Sequence, residues 1–384
     1  MKVIFNKSEI NEAISPLMCA VSGKATISAI DGILIDAKED GSCILTTFDL
    51  EKGMRVKINA KVEEAGFFII NAQKFAQTIR VMEGDEILLT VNDAKQACIS
   101  SGKSNYKMQA LDGRDFPEIP NLVTERGFVI GQASLRAMLE KVAFAMAFND
   151  QRPVLNGCFM HVTDGELLLV SCDSYKLAKC SIKTDIENKN TDHAGLNYRF
   201  IVPTKTVNEL QKLLKDDERA SVRIYMSRRN IIFNIDDMIF FSRLIDGEYI
   251  DYNRIILNTH RIGVTVKREV LISALERAAL VTEERVAGSV PAHVKLSFEG
   301  ELLKISATSS LGSTYDEVDI EHDGDDLLIA FNNRYLINSL RASEAEHVRI
   351  SMTSALTGIN IEPAEKTEEH EEIFMLLPVR MKEY

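Results

Sequence analysis

Hydrophobic and polar positions follow the same order three times along the chain. In each copy an apolar strand end runs directly into a helix. The helix starts are 132 and 129 residues apart, so the three copies are nearly equal in length. The predicted junctions are Phe68-Ile69-Ile70 before a helix over 71–82, Phe200-Ile201-Val202 before 203–215, and Leu328-Ile329-Ala330 before 332–342.

A second helix opens each copy after a short strand. The pattern predicts these helices over 8–20, 132–147 and 267–281, and Pro16 should kink or shorten the first of them. Each is marked by two apolar residues five positions apart, which are Phe5 and Ile10, Ile130 and Leu135, and Val266 and Leu271.

Between the helices, apolar and polar residues alternate at period two and break at a glycine. Alternation of this kind predicts β-hairpins with one buried face. The breaks fall at Gly41, Gly165 and Gly300. Each copy is therefore helix, hairpins, helix, hairpins, and the fold class is α+β.

A repeat of this length is much longer than a solenoid unit, so each copy can own a hydrophobic core and counts as a domain. Polar stretches at Asn121–Arg126 and Leu257–Arg261 precede the opening strand of the next copy. We therefore expect three tandem domains, with two helices on antiparallel sheets in each, over 1–123, 124–257 and 258–384.

Composition is that of a soluble globular protein. Of the 384 residues, 45% are hydrophobic and 27% are charged, and no apolar run approaches membrane-spanning length. The start has no signal-peptide core, so we expect a cytoplasmic protein without a membrane partner. The six cysteines form no C-x-x-C pair, which favours free, mostly buried thiols.

Charge is distributed unevenly. The chain has a net charge of −12, yet the predicted helices have a net charge of +6 and the rest of the chain −18. If helices line an inner surface, it is basic and could hold phosphates. The alternative is that Lys and Arg are good helix formers on solvated faces, and the first helix, with Glu9 and Glu12 and no base, counts against the functional reading.

No motif for catalysis is present in the sequence. There is no G-x-G-x-x-G after a strand, no Walker loop, no H-E-x-x-H and no G-x-S-x-G. The seven histidines are dispersed, and none has metal-ligand spacing to a cysteine. We therefore expect no enzymatic activity, no cofactor and no metal.

Four segments resemble the bacterial DNA polymerase III β subunit, the sliding clamp, and the resemblance covers essentially the whole chain. They are Arg152–Gly157, Arg243–Tyr252, Phe331-Asn332 and Phe374–Met381. The resemblance implies a head-to-tail homodimer, a ring of six DNA-clamp domains with sheets outside and helices lining a central hole. Such a ring encircles duplex DNA of any sequence, tethers the replicative polymerase for processive DNA replication, and performs no chemistry.

The expected DNA-facing residues come from two sources. The resemblance points to a loop lysine, to the loop from Asn149 to Arg152 and to helix starts, and the basic bias of the helices adds further residues. Without the resemblance, Lys24 would read equally well as a solvated loop lysine. The set is Lys24, Gln73, Lys74, Arg80, Arg136, Lys141, Asn149, Arg152, Lys205 and Lys212.

The resemblance also implies two protein interfaces. Ring closure would place Tyr106 and Met108, on an edge strand of the first domain, against Leu280 and Val281 at a helix end of the third. Short peptides of polymerases and of the clamp loader would dock in an apolar pocket between the second and third domains, although for its aliphatic members core packing is the simpler reading. The pocket residues would be Leu155, Cys172, Ser174, Tyr175, Lys176, Leu177, Ile250, Arg254, Ile255, Asn332, Tyr335, Leu356, Gly358, Met375, Leu376, Leu377, Pro378, Val379, Arg380 and Met381.

Some positions depart from the family pattern. Ser174-Tyr175-Lys176 stands where Gly-His-Arg is frequent, and Ile250 where proline is common, so the peptide preference could differ. The segment Lys382-Glu383-Tyr384 runs past the usual end, and we hypothesise that it modulates docking.

Two other classes of function are also compatible with the sequence. A peptide-binding scaffold that has lost DNA binding would tolerate charge reversal at Lys24, Arg152 and Lys205. A hydrolase or transferase built on a repeated α+β domain would lose turnover on a single polar-to-alanine change, and the sequence offers no candidate for that residue.

Overall fold

The computed structural model describes residues 1–23, 27–282, 293–310 and 312–381. Each predicted helix is confirmed. Pro16 lies in the last turn of the first helix, which gives way to a 3-10 turn over Met18–Ala20. The helices are α1 (Lys7–Leu17), α2 (Ala72–Val81), α3 (Gln132–Ala143), α4 (Thr204–Leu213), α5 (Arg268–Thr282) and α6 (Asn333–Ala342).

The strands follow the helices in the repeated order that the sequence predicts. Those before residue 120 are β1 (Lys2–Asn6), β2 (Gly32–Ala37), β3 (Ser42–Phe48), β4 (Lys52–Asn59), β5 (Lys61–Glu64), β6 (Gly66–Asn71), β7 (Glu86–Val91), β8 (Gln96–Ser101), β9 (Ser104–Gln109) and β10 (Leu111–Asp112). Those between 120 and 250 are β11 (Gly127–Gly131), β12 (Gly157–Thr163), β13 (Glu166–Cys172), β14 (Lys176–Lys183), β15 (Glu187–Asn188), β16 (Asn197–Pro203), β17 (Ser221–Met226), β18 (Asn230–Ile235) and β19 (Met238–Arg243). The last are β20 (Ile262–Lys267), β21 (Val294–Glu299), β22 (Leu302–Ser309), β23 (Gly312–Asp319), β24 (Glu321–Asp323), β25 (Leu327–Phe331), β26 (His347–Met352), β27 (Ile359–Pro363) and β28 (His370–Leu376).

The three predicted glycine breaks are hairpin turns. Gly41 joins β2 to β3, Gly165 joins β12 to β13, and Gly300 joins β21 to β22. Their φ angles are 84°, 94° and 54°, a region that L side chains rarely adopt, so glycine is needed at each turn. The expectation of one buried face is wrong for β2, because Leu34 on its second face packs with Ala29 and Ile69.

The chain forms two compact units. The first comprises Met1–Ala133, Glu187–Ala194 and Lys212–Leu244, and the second comprises Ser134–Ile186, Gly195–Gln211 and Ile245–Tyr384. The middle third of the sequence is thus divided between the units. The predicted boundaries of three sequence domains remain a prediction.

The first unit contains two antiparallel sheets. The smaller has the strand order β5-β1-β7-β8-β9, and the larger has the order β10-β6-β2-β3-β4-β19-β18-β17-β11-β15. The larger sheet is continuous because β4 pairs with β19, with Met54 opposite Phe240. At this junction a Cβ on Gly53 would lie 2.2 Å from a ring carbon of Phe241, so only glycine permits the approach.

The second unit repeats this arrangement. Its larger sheet has the order β16-β12-β13-β14-β28-β27-β26-β20-β24, and its smaller sheet has the order β23-β22-β21-β25. Here β14 pairs with β28, with Leu177 opposite Met375 and Ala178 opposite Phe374. Because all four side chains are buried, this pairing joins the core of the unit across the sheet.

Asparagine caps fix the starts of α2 and α6. The Asn71 side chain accepts a hydrogen bond from the Lys74 amide at 3.0 Å, and the Asn332 side chain accepts from the Tyr335 amide at 3.3 Å. An asparagine cap satisfies an amide that has no partner within the helix. Both caps directly follow an apolar strand, which explains the abrupt junctions seen in the sequence.

The cysteines are free, and Cys43, Cys158, Cys172 and Cys180 are buried, as predicted. Across the described ranges, the structure contains no helix both long and apolar enough to cross a membrane.

Candidate functional site

Helix α2 presents a polar face opposite its core face. Ala72, Phe75 and Ile79 are buried. Gln73, Lys74 and Arg80, all named from the sequence as DNA-facing, are exposed on the other side of the helix. Two cations on one exposed face, without an acid in the helix, form a surface that could hold phosphate groups.

Helices α3 and α4 provide further exposed polar residues. Arg136 is half-buried, and its Nε lies 2.9 Å from Glu140 Oε1 one turn along α3, so its charge is partly neutralised. Lys205 and Lys212 are exposed on α4. These residues remain candidates, and the ion pair with Glu140 weakens the case for Arg136.

Lys141 is buried, so the prediction that it faces DNA is wrong. The residue is 8% exposed, and its Nζ lies 2.5 Å from Glu372 Oε1 and 3.3 Å from Glu344 Oε2. His370 Nε2 lies 3.2 Å from the same ammonium and 2.5 Å from Glu372 Oε1. A buried and paired ammonium cannot reach phosphate, so Lys141 has a structural role.

The two acid–base partners shift each other's pKa. Burial alone would lower the pKa of Lys141, but the hydrogen bond and charge of Glu372 outweigh it and raise the pKa. Burial alone would raise the pKa of Glu372, but hydrogen bonds from His370 and Lys141 outweigh it and lower the pKa. Both groups are therefore held in their charged forms.

In the predicted DNA loop from Asn149 to Arg152, every residue except the partly buried Asp150 is exposed, and hydrogen bonds order the loop. The Asp150 amide donates to Asn156 Oδ1 at 2.7 Å, and Asn156 Nδ2 donates to the Asp150 carbonyl at 2.9 Å. Asp150 also accepts from Arg152 Nε at 3.1 Å. Lys24 and Lys382-Glu383-Tyr384, also named from the sequence, lie outside the described residues.

The predicted peptide pocket has a buried floor. Leu155, Cys172, Leu177 and Met375 belong to one hydrophobic cluster, against which Ile250 packs while remaining partly exposed. Burial raises the pKa of the Cys172 thiol. These buried residues pack in the hydrophobic core, in agreement with the alternative that the aliphatic pocket members are core residues. A peptide could reach only the other, exposed members of the predicted pocket.

The exposed members of the predicted pocket are mostly apolar. Leu356 is 77% exposed, Tyr175 61%, Leu377 43%, Ile255 37% and Val379 37%. Side chains of this size are rarely left in water as a group unless they form a binding surface. Asn332 and the basic residues Arg254 and Arg380 are also exposed, whereas Gly358 and Leu376 are buried and Pro378 and Met381 are of intermediate exposure.

Tyr175, Lys176 and Tyr335 form a small cluster within this set. The Tyr175 and Tyr335 ring centroids are 6.4 Å apart, and Lys176 Nζ lies 4.4 Å from the centroid of the Tyr335 ring. Burial, together with the charge of Asp173, raises the pKa of Tyr335. The cluster holds the two rings by a tilted aromatic contact and a cation–π contact.

The segment after β28 is held beside this cluster by backbone hydrogen bonds. The Leu377 amide donates to the Tyr175 carbonyl at 2.8 Å, and the Val379 amide donates to the Ala330 carbonyl at 2.8 Å. These bonds place Leu377 and Val379 on the surface between β14 and β25. We name the exposed apolar set Tyr175, Ile255, Leu356, Leu377 and Val379 the apolar groove.

Asp173, which is not among the residues predicted from the sequence, holds Tyr175 and Lys176 in place. Asp173 Oδ1 accepts from the amides of Tyr175 and Lys176, each at 3.0 Å, and Oδ2 pairs with the buried Lys176 ammonium. Ser174 adopts a φ of 80°, and its hydroxyl accepts from Arg152. An aspartate two residues before a turn position is a recognisable Asx-turn signal, so Asp173 could have been found.

The predicted interface residues lie at exposed edges. Tyr106 is 43% exposed on β9, Met108 is half-buried on the same strand, and Leu280 near the end of α5 is 76% exposed. Val281 is only 9% exposed, so its side chain packs α5 against the core and has little surface available for contact with a second copy.

Comparison with known proteins decides the family. Three family models match in order along the chain: the DNA polymerase III β subunit N-terminal domain over 1–120, its central domain over 129–251, and its C-terminal domain over 253–377. The chain belongs to the DNA polymerase III β subunit family. Its fold is therefore three tandem clamp domains, as predicted, and the family is one of non-catalytic processivity subunits.

Individual relatives agree with this family. The chain is 28% identical to the β sliding clamp of Proteus mirabilis over 94% of its length and 96% of the relative, and 27% identical to that of Bacillus subtilis over 99% and 100%. The crystal structure of the Bacillus subtilis DNA polymerase sliding clamp matches with a TM-score of 0.90 and 25% identity, covering all of both chains. A putative β subunit structure from Eubacterium rectale matches with a TM-score of 0.91 and 24% identity, covering 99% and 100%.

Proposed function

We propose that this chain pairs head to tail with a second copy to form a closed ring around duplex DNA, and that the ring tethers DNA polymerase subunits. The observation behind the proposal is the family match along the entire chain, with relatives named sliding clamps. The function needs no chemistry, because a ring is retained on DNA by its topology.

Two sheet edges suit such a closure. Strand β9 ends the smaller sheet of the first unit, and β23 ends the smaller sheet of the second, and within the described ranges neither has a strand on its outer side. The edges at β25 and β16 are covered, since the Val379 amide bonds to β25 and Ile245 bridges to β16. Long exposed edges are an aggregation liability unless they are paired.

The charges of the two edges are opposite. Lys103 and Lys107 are exposed in and beside β9, whereas Glu317 and Asp319 are exposed on β23. A contact between β9 of one copy and β23 of the next would bring opposite charges together, and the same contact would recur at the second interface. Charge complementarity therefore supports a heterologous contact between β9 of one copy and β23 of the next.

DNA would contact the exposed cations Lys74, Arg80, Lys205 and Lys212, and the exposed residues Gln73, Asn149 and Arg152 are further proposed contacts. Contacts of this kind are made to phosphates and do not depend on base sequence. Weak phosphate contacts suit a protein that must slide.

Partner peptides would dock in the apolar groove. Its side chains offer anchoring positions for two or three hydrophobic residues of a short peptide, and exposed Arg254 and Arg380 provide nearby positive charge. Peptides of polymerase and clamp-loader subunits are the proposed ligands.

The experiment that tests ring formation is the native mass by light scattering over a dilution series, followed by retention on DNA. We expect a species of twice the 43.0 kDa chain mass that stays on nicked circular DNA and leaves the same DNA after linearisation. A monomer at every concentration, or equal loss from circular and linear DNA, would contradict the proposal.

A further inference from the structure

We propose that Phe148 is a stacking contact for unpaired bases of single-stranded DNA, such as the template strand beside a primer end. This inference rests on the proposed function and adds a second mode of DNA contact to it. Phe148 is 67% exposed, whereas the three preceding residues, Ala145 to Ala147, are buried. Phe148 is therefore the residue at which the chain passes from the core to the surface.

The loop that presents Phe148 is anchored at both ends. The Ala147 amide donates to the Leu155 carbonyl at 3.1 Å, and the Thr204 hydroxyl donates to the Ala147 carbonyl at 3.0 Å. The Thr204 amide in turn donates to the Asn156 carbonyl at 2.9 Å. These bonds hold the base of the loop against the first residue of α4, and the exposed Lys205 follows directly.

Backbone geometry adds to this order. Asn149 adopts a φ of 59°, which asparagine tolerates better than most residues. Its exposed amide has both donors and an acceptor, as a contact to a base edge requires. The ring and the amide are neighbours on a loop that does not need to fold upon binding.

The charge of the loop favours base stacking over phosphate binding. Asp150 neutralises Arg152 through the Nε–Oδ1 contact of 3.1 Å, so the loop itself has no net charge. An exposed aromatic ring beside a cation on the next helix is the combination that single-strand binding proteins use. Duplex bases are stacked on each other, so only an unpaired base offers its face to Phe148.

The test compares wild type with Phe148→Tyr, Phe148→Leu and Phe148→Ala. The probes are a labelled oligo-dT single strand and a blunt duplex of the same length, measured by fluorescence anisotropy. We expect the Leu and Ala variants to bind the single strand about five- to 150-fold more weakly, the range that loss of one stacked base implies. The Tyr variant keeps the ring and should bind like wild type, and duplex affinity should be unchanged in all variants.

A spectroscopic readout locates the contact. A primed template with 2-aminopurine at the first unpaired position should lose fluorescence when wild type binds, because stacking on an aromatic ring quenches the base. The quenching should vanish with Phe148→Leu and persist with Phe148→Tyr.

Several results would overturn the proposal. If Phe148→Leu binds the single strand as well as wild type, the contact is apolar and does not involve stacking on an aromatic ring. If the Phe148 variants lose peptide binding but keep DNA binding, Phe148 contacts a protein partner. Equal affinity of all variants would also overturn it. Retention of wild type on circular duplex, measured in parallel, reports on the proposed function separately.

Discussion

At the scale of single residues, the buried group of Lys141, Glu372 and His370 is the clearest departure from the surface charges expected of this chain. Glu372 is 4% exposed, and its Oε1 contacts both basic side chains. Ion pairs at the surface contribute little, whereas breaking a buried pair leaves an uncompensated charge. This group therefore links α3 to β28 by a contact that tolerates little change.

The pKa of Glu372 leads to a prediction about pH. Since its folded pKa is lowered, the unfolded chain binds more protons between the two pKa values, and the carboxylate stabilises the fold above about pH 4.3. That contribution is lost as pH falls through the folded pKa. The raised pKa of Lys141 contributes below about pH 10.4 and is lost as pH rises through its folded value.

Glu372→Gln should therefore flatten the acid limb of the stability curve, measured as the free energy of unfolding in urea between pH 3 and pH 7. At pH 7 it should cost up to about 3–5 kcal/mol, the range for removing one partner of a buried pair. Glu371→Gln is the matched control, because Glu371 is exposed on the same strand and pairs with Lys179. Parallel curves for the two variants would contradict this account.

At the scale of elements, the pairing of β14 with β28 positions part of the apolar groove, because Tyr175 directly precedes β14 and Leu377 directly follows β28. The β14–β28 pairing brings Lys176 opposite Leu376, and the Leu377 amide then bonds to the Tyr175 carbonyl. The placement of Tyr175 beside Leu377 thus depends on the two strands remaining in register, since a shift of one residue would turn the strand side chains to the other face.

Leu356→Asp tests whether the groove binds peptides. The leucine is 77% exposed, so the folded protein should tolerate the change, while loss of an apolar anchor should weaken binding about tenfold or more. Affinity for labelled short peptides of the host polymerase is the measurement. Val81→Asp is the control, because Val81 is also 77% exposed and lies in the other unit. Unchanged affinity in Leu356→Asp would remove this residue from the docking site.

Local elements could be predicted from the sequence, and distant pairings could not. The glycine turns and the strands entering helices depend on neighbouring residues, so Gly41 and Asn71 already mark them. Lys141 was assigned to a surface because its partner Glu372 lies 231 positions away, and no local pattern indicates that contact. The same holds for β4 and β19, whose pairing makes the middle of the sequence contribute to both units.

At the scale of the whole molecule, closure of the proposed ring depends on the charges of β9 and β23. A variant with Lys103→Glu and Lys107→Glu should dimerise at least about tenfold more weakly, since like charges across an interface cost several kcal/mol. The reversal Glu317→Lys with Asp319→Lys should have the same effect. Sedimentation equilibrium at low salt is the measurement, because salt screens exposed charges.

Combining both reversals in one chain distinguishes pairing of these edges from general damage. In a head-to-tail dimer, each interface would then join a reversed β9 to a reversed β23, so opposite charges would meet again and the dimer should be restored. Lys61→Glu is the control, because Lys61 has a side chain 73% exposed on β5, at the opposite edge of the same sheet as β9. If the combined variant dimerises no better than either reversal alone, the two edges do not face each other, and closure must use another surface.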